Sequence, residues 1–302
     1  MGKRLDLKVG FKCNNNCIFC AQAHKRKLGN RTTKELKDKI MEGSKDGYDE
    51  IVFTGGEPTI REDIVELIRF ARYSDYRLIQ IQTNGRMLSY KNFVEKLVEA
   101  GATEFSPALH GHDKETHDSQ TRCGGSFEQT LKGIKNLVDL GVPVLTNTVI
   151  TKYNYDKLPN IVKLLTGLNV DQFQLAFVHP VGNSQKYFDL VVPSVSKTKS
   201  YVIKSLEIAE SVGYGPGRAM IEAFPPCLMN GHEKFCSEIY MPRHNKVVDL
   251  DKDVDDFEEW RKKSGKIKFP QCKDCKYDKL CEGPWKEYPE RFGSKEFKPI
   301  KK

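Results

Sequence analysis

Cys13-Asn14-Asn15-Asn16-Cys17-Ile18-Phe19-Cys20 decides how the rest of the chain is read. Three cysteines fall in this run at a C-x3-C-x2-C spacing. Clustered thiolates are soft ligands, suited to zinc, Cu(I) or iron–sulfur clusters. A closed zinc site takes four ligands in a tetrahedron. No fourth cysteine is near, and His24 is the close alternative. A four-iron cube on three thiolates keeps one iron open for another ligand.

Outward from this loop the pattern alternates. Residues 5–9 read as a strand, because apolar and polar residues alternate. Thr32 and Thr33 are candidate caps for a helix over 34–44 with Leu36, Ile40 and Met41 on one face. Further strands are expected at 50–54, 78–82, 104–109, 144–150 and 173–178. Helices are expected at 64–73, 90–100, 126–140 with Ser126 as N-cap, 157–165 and 195–212. Residues 110–125 read as a polar loop. Six strands alternating with six helices demand a parallel sheet with right-handed crossovers, two units short of a closed eight-fold barrel. The class is α/β, an open (β/α)6 partial barrel over 1–212. Gly213-Tyr214-Gly215-Pro216-Gly217 then opens an irregular, cysteine-rich domain, 213–302, whose basic end, 295–302, is expected to be mobile.

The chain has 302 residues and a net charge of +8, from 49 Lys and Arg against 41 Asp and Glu. No run approaches the roughly 18 apolar residues of a membrane helix. The first residues have no apolar export region, so a cytoplasmic protein with no membrane partner is expected. Nine cysteines, an odd number in a chain of this size, read as metal sites rather than disulfides. The positive charge admits nucleic acid, but a lysine-rich solvated surface is the preferred reading.

The spacing of Cys13, Cys17 and Cys20, with Phe19 before the third, resembles the signature of the radical S-adenosylmethionine (SAM) superfamily. Gly55-Gly56-Glu57-Pro58, at the end of the second strand, resembles that superfamily's Gly-Gly-Glu-Pro motif. The resemblance implies that the three cysteines hold a catalytic 4Fe-4S cluster and that SAM binds its open iron. Reductive cleavage of SAM then gives methionine and a 5′-deoxyadenosyl radical, which takes hydrogen from a substrate. It implies an electron donor such as a flavodoxin or ferredoxin. It also implies that the backbone of Gly55-Gly56-Glu57-Pro58 holds the amino group of SAM; the residues themselves offer a close backbone approach at the two glycines and, in Glu57, a carboxylate for an ammonium group. Thr83, Asn84, Ser106, Asn147 and Gln174, at later strand ends, become candidates for the rest of SAM, with Asn147 and Ser106 ahead of Gln174. The loop holding His110, His112, Asp113, His117 and Asp118 has metal-ligand composition, but similar loops in the superfamily bind none.

Cys272-Lys273-Asp274-Cys275 and Cys281 form a second group, with Cys227 and Cys236 upstream. Four thiolates here fit a zinc ribbon. The pattern also resembles part of the SPASM and twitch domains, which carry auxiliary iron–sulfur clusters. Five cysteines suffice for one cluster, not two; Trp285 stands where a further cysteine would be needed. The expected ligands are Cys227, Cys272, Cys275 and Cys281, with Cys236 in reserve and Cys123 incidental. The expected substrate is a peptide or a small molecule. The alternatives are RNA as substrate, or a zinc-binding module without enzymatic activity. No cobalamin domain is evident, and a cysteine motif starting at residue 13 leaves no peptide-recognition domain expected ahead of it.

Overall fold

The computed structural model describes residues 2–240 and 244–301. Met1 and Lys302, the outer ends of the segments read for an export signal and a mobile tail, lie outside it. The strands are β1 (Arg4–Lys8), β2 (Glu50–Thr54), β3 (Leu78–Thr83), β4 (Glu104–Pro107), β5 (Leu145–Ile150), β6 (Gln172–Phe177), β7 (Ala219–Glu222) and β8 (Asn245–Val248). Every pairing between them is parallel. One sheet runs β4-β3-β2-β1-β8 and another β5-β6-β7. Parallel bridges Phe105–Val144 and Ala108–Asn147 join them across β4 and β5.

The helices α1 (Thr33–Lys45), α2 (Ile64–Tyr73), α3 (Lys91–Ala100), α4 (Lys114–Thr121), α5 (Ser126–Asp139), α6 (Leu158–Gly167), α7 (Asn183–Lys186), α8 (Phe188–Val191) and α9 (Val195–Ser211) follow the strands. Thr32 and Glu35 close a capping box on α1, which buries Leu36 and Ile40. Met41 is exposed, so its expected place on the buried face is wrong. Phe53, Ile81, Phe105, Thr148 and Leu175 face the core, and so do Leu67, Leu97, Ile134 and Leu165 on the helices. Each such large apolar side chain contributes about 1.5–3 kcal/mol on burial.

Along β1, β4, β5 and β6 buried and half-buried residues alternate. The half-buried set, Arg4, Glu104, Ser106, Asn147 and Gln174 among them, forms the other, polar face of the sheet. The Arg4 guanidinium lies 3.2 Å from Glu50, and Gln80 donates to Glu104 at 2.5 Å.

Four expectations change. The 110–125 loop contains α4, capped by Asp113, whose side chain accepts from Thr116 N–H at 2.7 Å. Gly125, not Ser126, is the cap of α5. The segment after Gly213 contributes two strands, so the sheet crosses the expected 212/213 boundary on both flanks: β7 beside β6, and β8 beside β1. The tail is tied down: Lys276 N–H donates to Ile300 at 2.9 Å, Lys301 bridges Cys275, and Phe297 is buried. No helix is long and apolar enough to cross a membrane among the described residues.

Candidate active site

The 13–20 loop leaves the C-terminal end of β1, where ligands of parallel α/β sheets bind. Its conformation is imposed from outside. Asn16 and Ile18 N–H groups donate to Thr121 and Gln120 of α4 at 2.9 and 2.8 Å. The Asn183 side chain donates to the Cys17 carbonyl at 2.8 Å, Asn183 N–H to the Cys20 carbonyl at 3.0 Å, and Ser184 Oγ to the Phe19 carbonyl at 2.7 Å. Gly182 (φ +61°) is needed here, because a Cβ would lie 2.5 Å from the Ala21 carbonyl and 2.7 Å from that of Cys20. On the other flank Asn84 Nδ2 donates to Asn14 at 2.6 Å, while Arg86 donates to the Asn14 carbonyl and, at 3.0 Å, to the Asn15 side chain.

Burial raises the pKa of Cys13, Cys17 and Cys20, and smaller contributions come from Cys20 at Cys13 and from Cys20 and Cys13 at Cys17. Arg26 opposes this at all three. Its guanidinium also donates to the Asn15 carbonyl at 2.7 Å. Arg26 and Arg86 were missed by the sequence reading; His24, the candidate fourth ligand, is exposed. Phe19 is buried, its ring edge-on to His110 at 4.6 Å.

Gly55-Gly56-Glu57 lies against the strand that enters this loop. Gly56 N–H donates to Gly10 at 2.8 Å and Glu57 N–H to Lys12 at 2.9 Å. A Cβ on Gly56 would sit 2.2 Å from the Lys12 carbonyl oxygen, so the backbone approached here belongs to the chain itself. Glu57 is also occupied. Oε1 accepts from Thr59 N–H (3.0 Å), Thr59 Oγ1 (2.5 Å) and Thr83 Oγ1 (2.7 Å), and Oε2 accepts from Asn84 N–H (2.6 Å). The carboxylate is 2 % exposed. It ties β2 to the end of β3 rather than standing open to a ligand's ammonium group, and desolvation raises its pKa.

Of the other strand-end candidates, Thr83 is committed to Glu57 and Asn84 to the cysteine loop. Gln174 donates to Glu222 at 2.6 Å. Asn147, its register neighbour, keeps a buried Oδ1 with no partner, and Ser106 pairs in register with exposed Gln82. The histidine loop is structural. His110 Nδ1 accepts from Val149 N–H at 3.2 Å and His117 Nδ1 from His110 N–H at 3.1 Å. Burial drives both pKa values down, that of His117 to about 4. Asp118 accepts from Gly125, Ser126 and Phe127 at the start of α5.

Cys227, Cys272, Cys275 and Cys281 line one cavity, walled by Pro225, Pro226 and Phe297. Burial and the three neighbouring thiols push Cys227 up to about 12. Cys236 lines an adjoining cavity with Cys281 and Glu238, and its thiol points to the Phe224 carbonyl at 3.7 Å. Among the described residues no three metal-ligating side chains converge on a single-ion position. The four cysteines share the lining of one cavity, and thiolates gathered in this way are the ligand type of iron–sulfur clusters. Cys123 belongs to neither group.

A parallel α/β sheet with a thiol loop pinned at its C-terminal mouth defines an enzyme that places a soft-metal cofactor over an open polar face. The sequence matches the model of the Radical SAM superfamily over residues 7–165, more than half of its length, and the chain belongs to that superfamily of enzymes. It is 32 % identical over 176 residues to an AdoMet-dependent heme synthase of Methanosarcina barkeri, covering 58 % of this chain and 50 % of that protein. It is 33 % identical over 181 residues to a probable GTP 3′,8-cyclase of Saccharolobus islandicus, covering 59 % and 58 %. The chain thus spans half to three-fifths of the length of these curated relatives. Streptococcus suis SuiB bound to its precursor peptide SuiA superposes with a TM-score of 0.66 at 17 % identity, over 94 % of this chain and 71 % of SuiB. The enzyme anSMEcpe with bound AdoMet and a Kp18Cys peptide superposes at 0.68 and 15 % identity, over 93 % and 89 %. At these identities the likeness is one of fold.

Proposed function

We propose that Cys13, Cys17 and Cys20 hold a 4Fe-4S cluster that binds SAM, and that Cys227, Cys272, Cys275 and Cys281 hold an auxiliary one. The observation that carries this reading is the pair of separate thiol groups, one pinned at the sheet mouth and one around a single cavity. When bound, the first cluster supplies an electron that cleaves SAM to methionine and a 5′-deoxyadenosyl radical, which takes hydrogen from an unreactive C–H bond. The chain's own part is placement. Arg26 keeps positive charge beside the first three thiolates. Glu57 fixes the end of β3 against the turn after β2, which sets where Asn84 reaches the cysteine loop. Asn147, Ser106 and Gln82 offer amide and hydroxyl groups on the open face for SAM and substrate. Desolvation and the nearby Glu238 raise the pKa of Glu222, which accepts a hydrogen bond from Gln174 at 2.6 Å.

The substrate reading we favour is a peptide. Two neighbours with bound peptides superpose over 93–94 % of the chain, the cysteine-rich segment included. The division of labour is 1–212 for the radical chemistry and 213–302 for the auxiliary site, within one continuous sheet. Anaerobic reconstitution tests the reading: iron and sulfide for two four-iron clusters are expected, with 5′-deoxyadenosine formed from SAM and dithionite. Zinc in the second site would remove the auxiliary cluster and leave the first.

A further inference from the structure

The chain's excess charge is confined to one end. Residues 261–302 hold fourteen Lys and Arg against six Asp and Glu, an excess equal to the net +8 of the whole protein. The other 260 residues are balanced. The basic segment is also the one that builds the four-thiol cavity. Lys273 and Lys276 directly follow Cys272 and Cys275, Lys279 lies two residues before Cys281, and Lys301 bridges Cys275 from the tail. These four and Lys298 are exposed, and among the described residues none has a carboxylate within ion-pair distance. Of the two nearby acids, Asp278 is taken by Lys268 at 2.8 Å, which leaves Asp274 alone. Leu280, 59 % exposed, stands among the lysines.

A set of exposed, unpaired lysines beside an exposed leucine, adjoining in sequence the cysteines that line the cavity, suits a short-lived complex with an acidic protein. Small interfaces suffice for electron-transfer encounters, and opposite charge raises their on-rate. We infer that this face docks a small acidic electron-transfer protein, such as a flavodoxin, and brings its reduced cofactor beside the group held by Cys227, Cys272, Cys275 and Cys281. The transfer makes and breaks no bond: the donor's flavin loses one electron and the group behind the lysines gains it. This electron-entry role rests on the auxiliary-cluster reading above; the docking itself does not. Single-stranded nucleic acid fits the face less well, because such surfaces interleave aromatic platforms with the cations. Tyr277 is the one aromatic residue between 271 and 284, and its ring is already covered by Lys276 at 4.9 Å.

The test measures the affinity of cluster-loaded protein for an acidic flavodoxin, by calorimetry or flavin fluorescence, across a salt series. Lys273→Glu/Lys276→Glu/Lys279→Glu is set beside Lys91→Glu/Lys132→Glu/Lys135→Glu, an equal charge change at exposed sites on α3 and α5. Binding is expected to weaken with salt and to fall about tenfold or more in the first triple variant, while the second stays near wild type. Dithionite should reduce all three proteins alike. Equal weakening in both variants, or no measurable complex, overturns the docking face. A single-stranded oligonucleotide that binds this face and that flavodoxin does not displace overturns the choice of partner. Metal content is measured on the same samples. Zinc in the second site with flavodoxin still bound through these lysines rejects electron entry and the auxiliary cluster, but not docking.

Discussion

The two thiol groups are built in opposite ways. The first is a short run of chain held by side chains and backbone from α4, α7 and the turn after β3. Its environment is polar and includes two arginines. The second gathers cysteines from two distant stretches around a cavity walled by proline and phenylalanine. The first is rigid because the barrel grips its backbone; the second depends on turns that close around whatever the thiols bind. An iron that must keep an open position needs its ligand loop fixed by something other than a fourth ligand. A site with four thiolates has no such need.

The largest effect that separates the two is chemical. Cys17→Ala is expected to abolish 5′-deoxyadenosine formation with dithionite, while Cys275→Ala retains SAM cleavage and loses product formation. Cleavage surviving in Cys17→Ala would reverse the assignment. Next comes the grip itself. Gly182→Ala places a methyl group against the Ala21 and Cys20 carbonyls and strains a positive φ, at a cost of about 2–3 kcal/mol. Thermal unfolding and iron per protein check this. Iron should be lost from the first group and kept by the second, and equal loss from both would mean that the two sites are not independently supported.

Glu57→Gln sharpens the comparison further. The variant keeps one acceptor oxygen for a carboxylate that takes four hydrogen bonds, so stability should fall by about 1–3 kcal/mol. SAM affinity on the surviving holoprotein should hold. A tenfold weaker affinity at unchanged melting temperature would return Glu57 to the ligand role that its motif suggested. The smallest effect is a slope. A carboxyl whose pKa is raised on folding binds more protons folded than unfolded, so its contribution falls as pH rises above the usual glutamate value. Glu222, desolvated and facing Glu238, has this sign. Glu222→Gln should flatten the decline of stability with pH in that range, read from denaturant melts; an unchanged slope places the titrating group elsewhere.

Much of this was legible in the residues. The six βα units followed from alternating periodicities, because apolar stripes report burial directly. Both cysteine groups were visible as spacings. What escaped lacked an apolar signal. Helix α4, KETHDSQT, has no apolar stripe; its mark was Asp113 as an N-cap. Strands β7 and β8 are four residues each, and their partners lie far away in sequence. Arg86 acts through a carbonyl of a loop it does not neighbour in sequence, and Arg26, just after the loop, folds back onto Asn15. The Gly-Gly-Glu motif was read as facing a ligand. Its glycines and carboxylate are instead packed against the chain's own backbone, which no spacing reveals.

The pairing of β8 with β1 has a consequence for the order in which the chain is made. The strand that leads into the cysteine loop is made well before β8, one of its two neighbours: Arg4 pairs in register with Asn245. Until residues 245–248 emerge, β1 has one open edge, and Lys25, just after the loop, lacks Asp249, its partner at 2.7 Å. Exposed edges recruit other strands, so the nascent chain is most vulnerable to misassembly between the synthesis of β1 and that of β8. The sheet beneath the first cysteine group is therefore completed between the synthesis of Cys227 and that of Cys272, Cys275 and Cys281.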